Sequence, residues 1–356
     1  MSRLVIKVGS NVLTRADGHP DVTNLSSIVD QIAALRSGGH EVVLVSSGAV
    51  ACGRGAIRPT HTLDSVGERQ LFASIGQIKL INLYNSLFGG YGIIVGQVLT
   101  QKDNFASRTA YLNQRHCMLT MLESGVIPIV NENDTVSLTE LMFTDNDELS
   151  GLVATMLDAD MLIILSNVDG IYTGAPGAPG SELIPKVVPG DHPEEYVVTG
   201  KSSFGRGGMA TKCNIARKVA DEGVTVILAR GTRPDILVQL VENPDAVPHT
   251  EFVAAPRALS PIKRWIAHSD SFAKGKVTVS EKACEALAGK GAVSLLPVGV
   301  TAIEGDWDEG DIITVCAPDG RRIAVGRAAL DSTAAREAIG CHGRPPLIHY
   351  DYLYLE

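Results

Sequence analysis

A lysine stands where a buried strand residue is expected, in Ile6-Lys7-Val8-Gly9-Ser10 at the end of the apolar run Leu4–Val8. Lysine is rarely buried without a reason, and a glycine two residues on lets a ligand approach the backbone. Two readings stand side by side: a lysine facing a phosphate at the mouth of a sheet, or an edge lysine whose stem packs while its ammonium reaches water. A second segment, Val45-Ser46-Ser47-Gly48-Ala49, has the form of a strand-to-helix turn. Its free N–H groups and hydroxyls suit a carboxylate, a phosphate or a bare cap. A third, Phe204-Gly205-Arg206-Gly207-Gly208-Met209-Ala210-Thr211-Lys212, puts glycines and a lysine at a helix start. It reads as a phosphate-cradling loop, although it is not a Gly-x-x-x-x-Gly-Lys-Ser/Thr P-loop. Two acidic clusters, Asn131-Glu132-Asn133-Asp134 and Asp145-Asn146-Asp147-Glu148, lie within 15 residues of each other. Favourable interaction with a helix dipole explains part of the second; together they suit a cationic group, an amine or a metal-bound phosphate. Anion loops, two lysines and two carboxylate clusters add up to phosphoryl transfer, where catalysis is positioning and charge stabilisation. No Ser/His/Asp or Cys/His arrangement is apparent, and the nine histidines show no HExxH, so hydrolysis and zinc chemistry are weaker readings.

The elements that must position these residues follow from periodicity. Short apolar runs at Leu4–Val8, Val42–Val45, Ile93–Val98, Ile127–Val130, Leu162–Leu165 and Val224–Leu228 read as strands covered on both faces. Helical patterns lie between them, at Leu25–Arg36, Leu71–Leu87 and Leu149–Leu157. This alternation predicts an α/β/α sandwich with a mostly parallel sheet, whose ligands bind at the carboxyl ends of the strands. Past residue 256 the pattern changes. Lys274–Val279, Val293–Leu296, Ile312–Cys316 and Ile323–Val325 read as short strands and Glu281–Ala288 as a helix, which makes a small β-rich second domain. The expected boundaries are 1–256, a linker over 257–270, and 271–356. Gly174–Gly180 is a Gly/Pro-rich loop.

Length and charge bound the answer. A chain of 356 residues suggests about two domains, and 45% hydrophobic residues provide a large core. Forty acidic against 31 basic side chains give a formal charge of −9, which argues against a general binder of nucleic acid or anionic membranes. No apolar run approaches the ~18–20 residues of a membrane span, and Met-Ser-Arg before Leu4 leaves no room for a secretory leader. Six scattered cysteines include no CxxC pair and are expected as cytosolic thiols, so the expected location is the cytoplasm.

On six segments, in order and spacing, the chain resembles the amino acid kinase family: IKVGSNVLT (Ile6–Thr14), VSSGAVACG (Val45–Gly53), PIVNENDTV (Pro128–Val136), DNDELS (Asp145–Ser150), SNVDGIYT (Ser166–Thr173) and GRGGMATK (Gly205–Lys212). The C-terminal part resembles a PUA domain. The resemblance is to the glutamate-phosphorylating members of the family and spans nearly the whole chain. It implies ATP-dependent phosphorylation of the γ-carboxylate of L-glutamate, the first step of proline synthesis, with ATP and Mg²⁺ as cofactors. It also implies a homo-oligomer (dimer or tetramer) and feedback inhibition by proline, which is usual in the family.

Residue by residue, the resemblance implies that Lys7 and Lys212 contact ATP phosphates, with Asp147 holding them in place. Ser47, Gly48, Asp134 and Asn146 fall on the glutamate-binding side. Ser166 and Asn167, with Arg206, Gly207, Gly208, Met209, Ala210, Thr211 and Lys212, fall on nucleotide-binding segments. No metal ligand is assigned. Three positions depart from the family pattern: Ser166-Asn167 where Thr-Asp is common, Arg206 where Thr is common, and Gly174-Ala-Pro-Gly177 where an Asp-Pro pair is common.

Other kinases of the same fold, acting on acetylglutamate, a carbamate, aspartate or a nucleoside monophosphate, are the nearest alternatives. A free α-amine on the substrate wants an acidic partner, which Asp134 supplies. RNA binding through the C-terminal domain is the alternative of another class. From Asp270 to Glu356 there are nine basic and thirteen acidic residues, a net of −4, which argues against it.

Overall fold

The computed structural model describes residues 1–15, 17–106, 108–136, 146–191, 208–256, 266, 273–289 and 293–355. Its first unit comprises Met1–Lys102 and Leu112–Arg257, its second Asp103–Tyr111 and Ala258–Glu356. Apart from Ile266, the expected linker 257–270 lies outside the described residues.

The apolar runs of the first unit form a single sheet. Its strands are β1 (Arg3–Val8), β2 (Glu41–Ser46), β3 (Val95–Thr100), β4 (Ile127–Glu132), β5 (Met161–Ser166), β6 (Lys186–Val187), β7 (Thr225–Arg230) and β8 (His249–Phe252), in the order β3-β4-β2-β1-β5-β7-β8-β6. All neighbours pair in parallel except β7 and β8. Helices fill the crossovers: α1 (Ser10–Leu13), α2 (Val22–Ser37), α3 (Ala49–Arg54), α4 (Ser65–Gly89), α5 (Asp103–Ala106), α6 (Arg108–Glu123), α7 (Asn146–Met156), α8 (Met209–Asp221) and α9 (Ile236–Glu242).

Strand alternation splits β1 between two layers. Leu4, Ile6 and Val8 point into a core with Leu25, Ile28 and Ile32 of α2, Leu80, Tyr84 and Phe88 of α4, and Ile236 and Leu237 of α9. Lys7 is one residue out of phase and faces the opposite layer, where α7 packs on β1 and α8 on β7. Burying each leucine or isoleucine of that core stabilises the fold by about 1.5–3 kcal/mol. Side-chain caps fix the helix starts: Asp21 accepts from the N–H of Asn24 at 3.0 Å, and Asp64 from the N–H of Gly67 at 2.7 Å.

Several sequence expectations need correction. β3 starts at Val95, not Ile93, and as an edge strand it leaves Leu99 exposed instead of being covered on both faces. The helix expected from Leu149 starts three residues earlier, at Asn146. Val293–Leu296 is not a strand and supplies only the isolated bridge Leu295–Ile348.

The second unit has a five-stranded sheet, β9 (Gly275–Val279), β10 (Val300–Gly305), β11 (Ile312–Cys316), β12 (Arg322–Arg327) and β13 (Leu353–Leu355), ordered β10-β9-β11-β12-β13. Val277, Val279, Ile313, Val315 and Trp307 form its core, together with helices Glu281–Ala288 and Ser332–Ala338. A smaller cluster of Ile266, Ile312 and Val325 takes in Tyr111 from the 103–111 excursion.

Candidate active site

The parallel register brings five strand ends level. Lys7 pairs with Val45 and Ile164, Val8 with Ser46, and Ser166 with Arg230. Val45 and Val130 meet across β2 and β4. The polar residues after these runs therefore collect along one edge of the sheet, as expected for such a fold.

At the centre of that edge, Asp147 holds two lysines. Its Oδ1 lies 2.5 Å from Nζ of Lys7, and its Oδ2 accepts from Nζ of Lys212 at 2.6 Å. The carboxylate is fully buried, while the Lys7 and Lys212 side chains are 6% and 15% exposed. Burial pushes the Asp147 carboxyl upward in pKa, but the two ammoniums outweigh it and hold it down at about 2. Local sequence explains the meeting. Asp147 lies in the first turn of α7 and Lys212 in the first turns of α8, one turn beyond its N-cap Gly208. Gly151, one turn after Asp147, lets α8 come close: a Cβ there would sit 2.8 Å from Cγ2 of Val219. Gly9, next to the lysine strand, is a similar close approach, where a Cβ would meet Nζ of Lys7 at 3.4 Å and the carbonyl of Leu165 at 3.3 Å.

A polar network lies beside this pair. Nδ2 of Asn146 donates toward the Ser46 carbonyl at 3.1 Å, Oγ of Ser47 at 2.9 Å and Oδ1 of Asn131 at 3.0 Å. Nδ2 of Asn131 in turn donates to Oε1 of Gln77 at 2.9 Å. Gly48 follows Ser47 with φ +98°, a left-handed conformation that turns β2 into α3 and suits glycine. Asp134 is held separately. Nε of Arg69, on α4, donates to its Oδ1 at 2.7 Å, Nη2 of Arg69 bonds the same oxygen, and Nη2 also donates to Oε2 of Glu132 at 3.0 Å. Burial raises the Asp134 pKa, with Arg69 opposing it.

On the other side, Ser166 is buried at the end of β5, followed by Asn167. Gly208, Met209, Ala210 and Thr211 form the N-cap and first turn of α8. Arg206 and Gly207 lie outside the described residues. Close by in the register, Asp169 binds Nε of Arg233 at 2.6 Å and Nε of Arg230 at 3.2 Å.

The structure thus brings Lys7, Asp147 and Lys212 together, and Ser47 and Asn146 together, while Asp134 keeps its own clamp. Sequence reasoning missed Arg69 and Gln77. Their signal was the helical spacing of Arg69, Gln70 and Gln77, which puts polar residues on one face of an otherwise apolar pattern. It also missed Arg230 and Arg233.

Comparison with known proteins gives the family of the chain. The family model "Amino acid kinase family" matches residues 2–230, and a PUA domain model matches 275–345. A glutamate 5-kinase of Bacteroides thetaiotaomicron is 57% identical over 355 residues, covering 100% of this chain and 99% of the relative. A glutamate 5-kinase of Chlorobaculum tepidum is 48% identical, covering 99% and 97%. Among solved structures, a carbamate kinase from Giardia lamblia bound to AMP-PNP matches with a TM-score of 0.53 at 16% identity, covering 71% of this chain and 99% of that one, a likeness of fold.

Proposed function

The chain belongs to the glutamate 5-kinases of the amino acid kinase family, and on that premise we propose how its residues carry the reaction: transfer of the γ-phosphoryl group of ATP to the γ-carboxylate of L-glutamate, giving γ-glutamyl phosphate, the first step of proline biosynthesis. The observation that carries the reading is the pair of lysines, far apart in sequence, on the two oxygens of one buried carboxylate.

The acceptor needs no base, because a glutamate side chain titrates near ~4.3 and is ionised at pH 7. The barrier is repulsion between two anions, and the residues answer it with positive charge. Asp147 stays ionised and uses one of the three N–H donors on each ammonium, fixing both lysines without neutralising the pair. Lys7 and Lys212 offset charge on the transferred group. Gly9 keeps the space beside Lys7 open, which supports a phosphate there. Ser166, Asn167 and the segment Arg206, Gly207, Gly208, Met209, Ala210, Thr211 take the nucleotide, with the dipole of the 13-residue α8 favouring its phosphates. Ser47, the Gly48 N–H and Asn146 take substrate carboxylate, and Asp134 the α-ammonium.

ATP supplies the phosphoryl group. Among the described residues no group of three or more His, Cys, Asp or Glu side chains could hold a metal ion. Mg²⁺ would come with ATP, for which one or two carboxylates beside the phosphate oxygens suffice, and would supply further positive charge against the transferred group. Among the described residues no helix is long and apolar enough to cross a membrane, and a cytoplasmic location is part of the proposal.

Residues 1–256 are assigned to the kinase domain and 271–356 to the PUA-like domain, supported by the family matches at 2–230 and 275–345. The net charge of −4 over Asp270–Glu356 favours a structural or regulatory role for the latter over RNA binding. Assembly into a dimer or tetramer is supported by exposed Ile94 and Leu99 at the edge strand β3, and sedimentation tests it. Feedback inhibition by proline belongs to the same reading and is checked by adding proline to the assay below.

With ATP, Mg²⁺, L-glutamate and hydroxylamine, the enzyme is expected to release glutamyl hydroxamate. Turnover with another acceptor, and none with glutamate, discards the substrate and keeps the fold.

A further inference from the structure

Helix α4 touches both turns that the proposed function assigns to glutamate. On the Asn131–Asp134 side it supplies three contacts from one face: Arg69 to Asp134 and Glu132, Nε2 of Gln70 to the Thr135 carbonyl at 2.9 Å, and Gln77 to Asn131. On the Ser46–Gly48 side, the Tyr84 hydroxyl lies 2.9 Å from Oγ of Ser46. The helix also packs directly on α3, where a Cβ on Gly53 would sit 1.8 Å from the Phe72 carbonyl and one on Gly76 1.7 Å from the Ala49 carbonyl. The brace holds the two turns at a fixed spacing.

Within that brace, both Arg69 bonds to Asp134 go to Oδ1. Among the described residues no donor reaches Oδ2. A carboxylate restrained through one oxygen has a fixed plane and presents the other oxygen in a set direction. The guanidinium suits this because its planar fork spans two acceptors, here Asp134 and Glu132, where a lysine could not.

We propose that Arg69 is a positioning residue for substrate recognition, which aims the second oxygen of Asp134 at the α-ammonium of the amino acid. The inference rests on the assignment of Asp134 to that ammonium. Of the charged groups around Asp134, Arg69 faces it from α4 and Glu132 shares the same guanidinium from β4. Without the arginine, burial acts on Asp134 unopposed, and the carboxylate takes up a proton at higher pH than in the parent enzyme. Two effects follow together: weaker binding of glutamate with nucleotide binding unaffected, and an acidic limb of kcat/KM for glutamate displaced to higher pH.

The test is steady-state kinetics of the full-length chain by hydroxamate formation, for Arg69→Met, Arg69→Lys and Asp134→Asn, from pH 5 to 9. Arg69→Met is expected to raise KM for glutamate about tenfold, the equivalent of ~1.4 kcal/mol. KM for ATP stays within twofold, and the acidic limb moves up. Arg69→Lys keeps the charge and recovers part of both effects; it also serves if Arg69→Met does not fold. A KM for glutamate unchanged in both variants, or KM values for glutamate and ATP that rise in parallel with an unmoved pH profile, overturns the positioning role. If Asp134→Asn itself leaves KM for glutamate unchanged, the assignment of Asp134 has failed and the role of Arg69 falls with it. A large effect of Asp134→Asn beside silent Arg69 variants removes only the inference.

Discussion

Two clamps at one sheet edge are built with opposite stoichiometry. At the first, Lys7 and Lys212 share the single carboxylate of Asp147; at the second, Arg69 serves both Glu132 and Asp134. Counting only those side chains, the first carries +1 and the second −1. Both are largely buried, so solvent does little to screen either imbalance. The pKa directions follow the same division: Asp147 is pushed down by two cations, whereas Asp134, with one shared cation, is left raised by burial. A surplus of positive charge suits a polyphosphate and a surplus of negative charge suits an ammonium. The contrast teaches that ligand polarity can be read from how many partners a buried ion has, beyond whether it has one.

The comparison breaks first at the lysines. Lys7→Ala or Lys212→Met is expected to lower kcat by about 10²–10³, with KM for glutamate little changed, in hydroxamate assays at saturating ATP. A rate within threefold of the parent would remove that ammonium from the reacting group. At the opposite clamp, Asp134→Asn is expected to raise KM for glutamate by about 10–100-fold while leaving KM for ATP alone, since a charge-assisted bond is lost on one substrate only.

Acid unfolding sharpens the contrast further. The folded Asp147 carboxyl titrates at about 2, below its unfolded value of ~3.9, so its contribution to stability is complete above that unfolded value and is lost as pH falls toward 2. Urea titrations should show a loss on the order of 2 kcal/mol across that window, smaller in Asp147→Asn. The smallest effect has the opposite sign. Because the folded Asp134 carboxyl is raised, its ionised form costs stability near neutral pH, and Asp134→Asn should leave the ligand-free Tm unchanged or slightly higher. Asp147→Asn should lower it. A fall in Tm for both variants would mean that the clamps do not differ in the way described.

Much of this was legible in the chain itself, for identifiable reasons. Strands buried on both faces leave dense β-branched runs, and β1, β2, β4, β5 and β7 were visible as such. Lys7 stood out because it interrupts one of those runs. β8 did not, because His249-Thr-Glu-Phe252 alternates over only four residues at the far side of the sheet. The 16-residue α6 was hidden by its polar character. At the site, Asp147 was visible within an acidic cluster at a helix start. Arg69 was not, because an arginine within a helix is ordinarily solvated and its partners lie 63 and 65 residues away. The spacing of Arg69, Gln70 and Gln77 marks a polar face on the helix but does not say which distant residues that face meets.

The glycines at 53 and 76 also decide where this chain tolerates change. Between α3 and α4 the chain passes through exposed residues 58–62. Extra residues spliced in there, or a protease cut, are expected to leave the two helices seated on each other, because the tight contact lies at Gly53 and Gly76 and not in the loop. A single methyl group at Gly76 has nowhere to go but into the Ala49 backbone. One atom in the wedge between the helices therefore does more harm to the catalyst than a whole loop added at its rim.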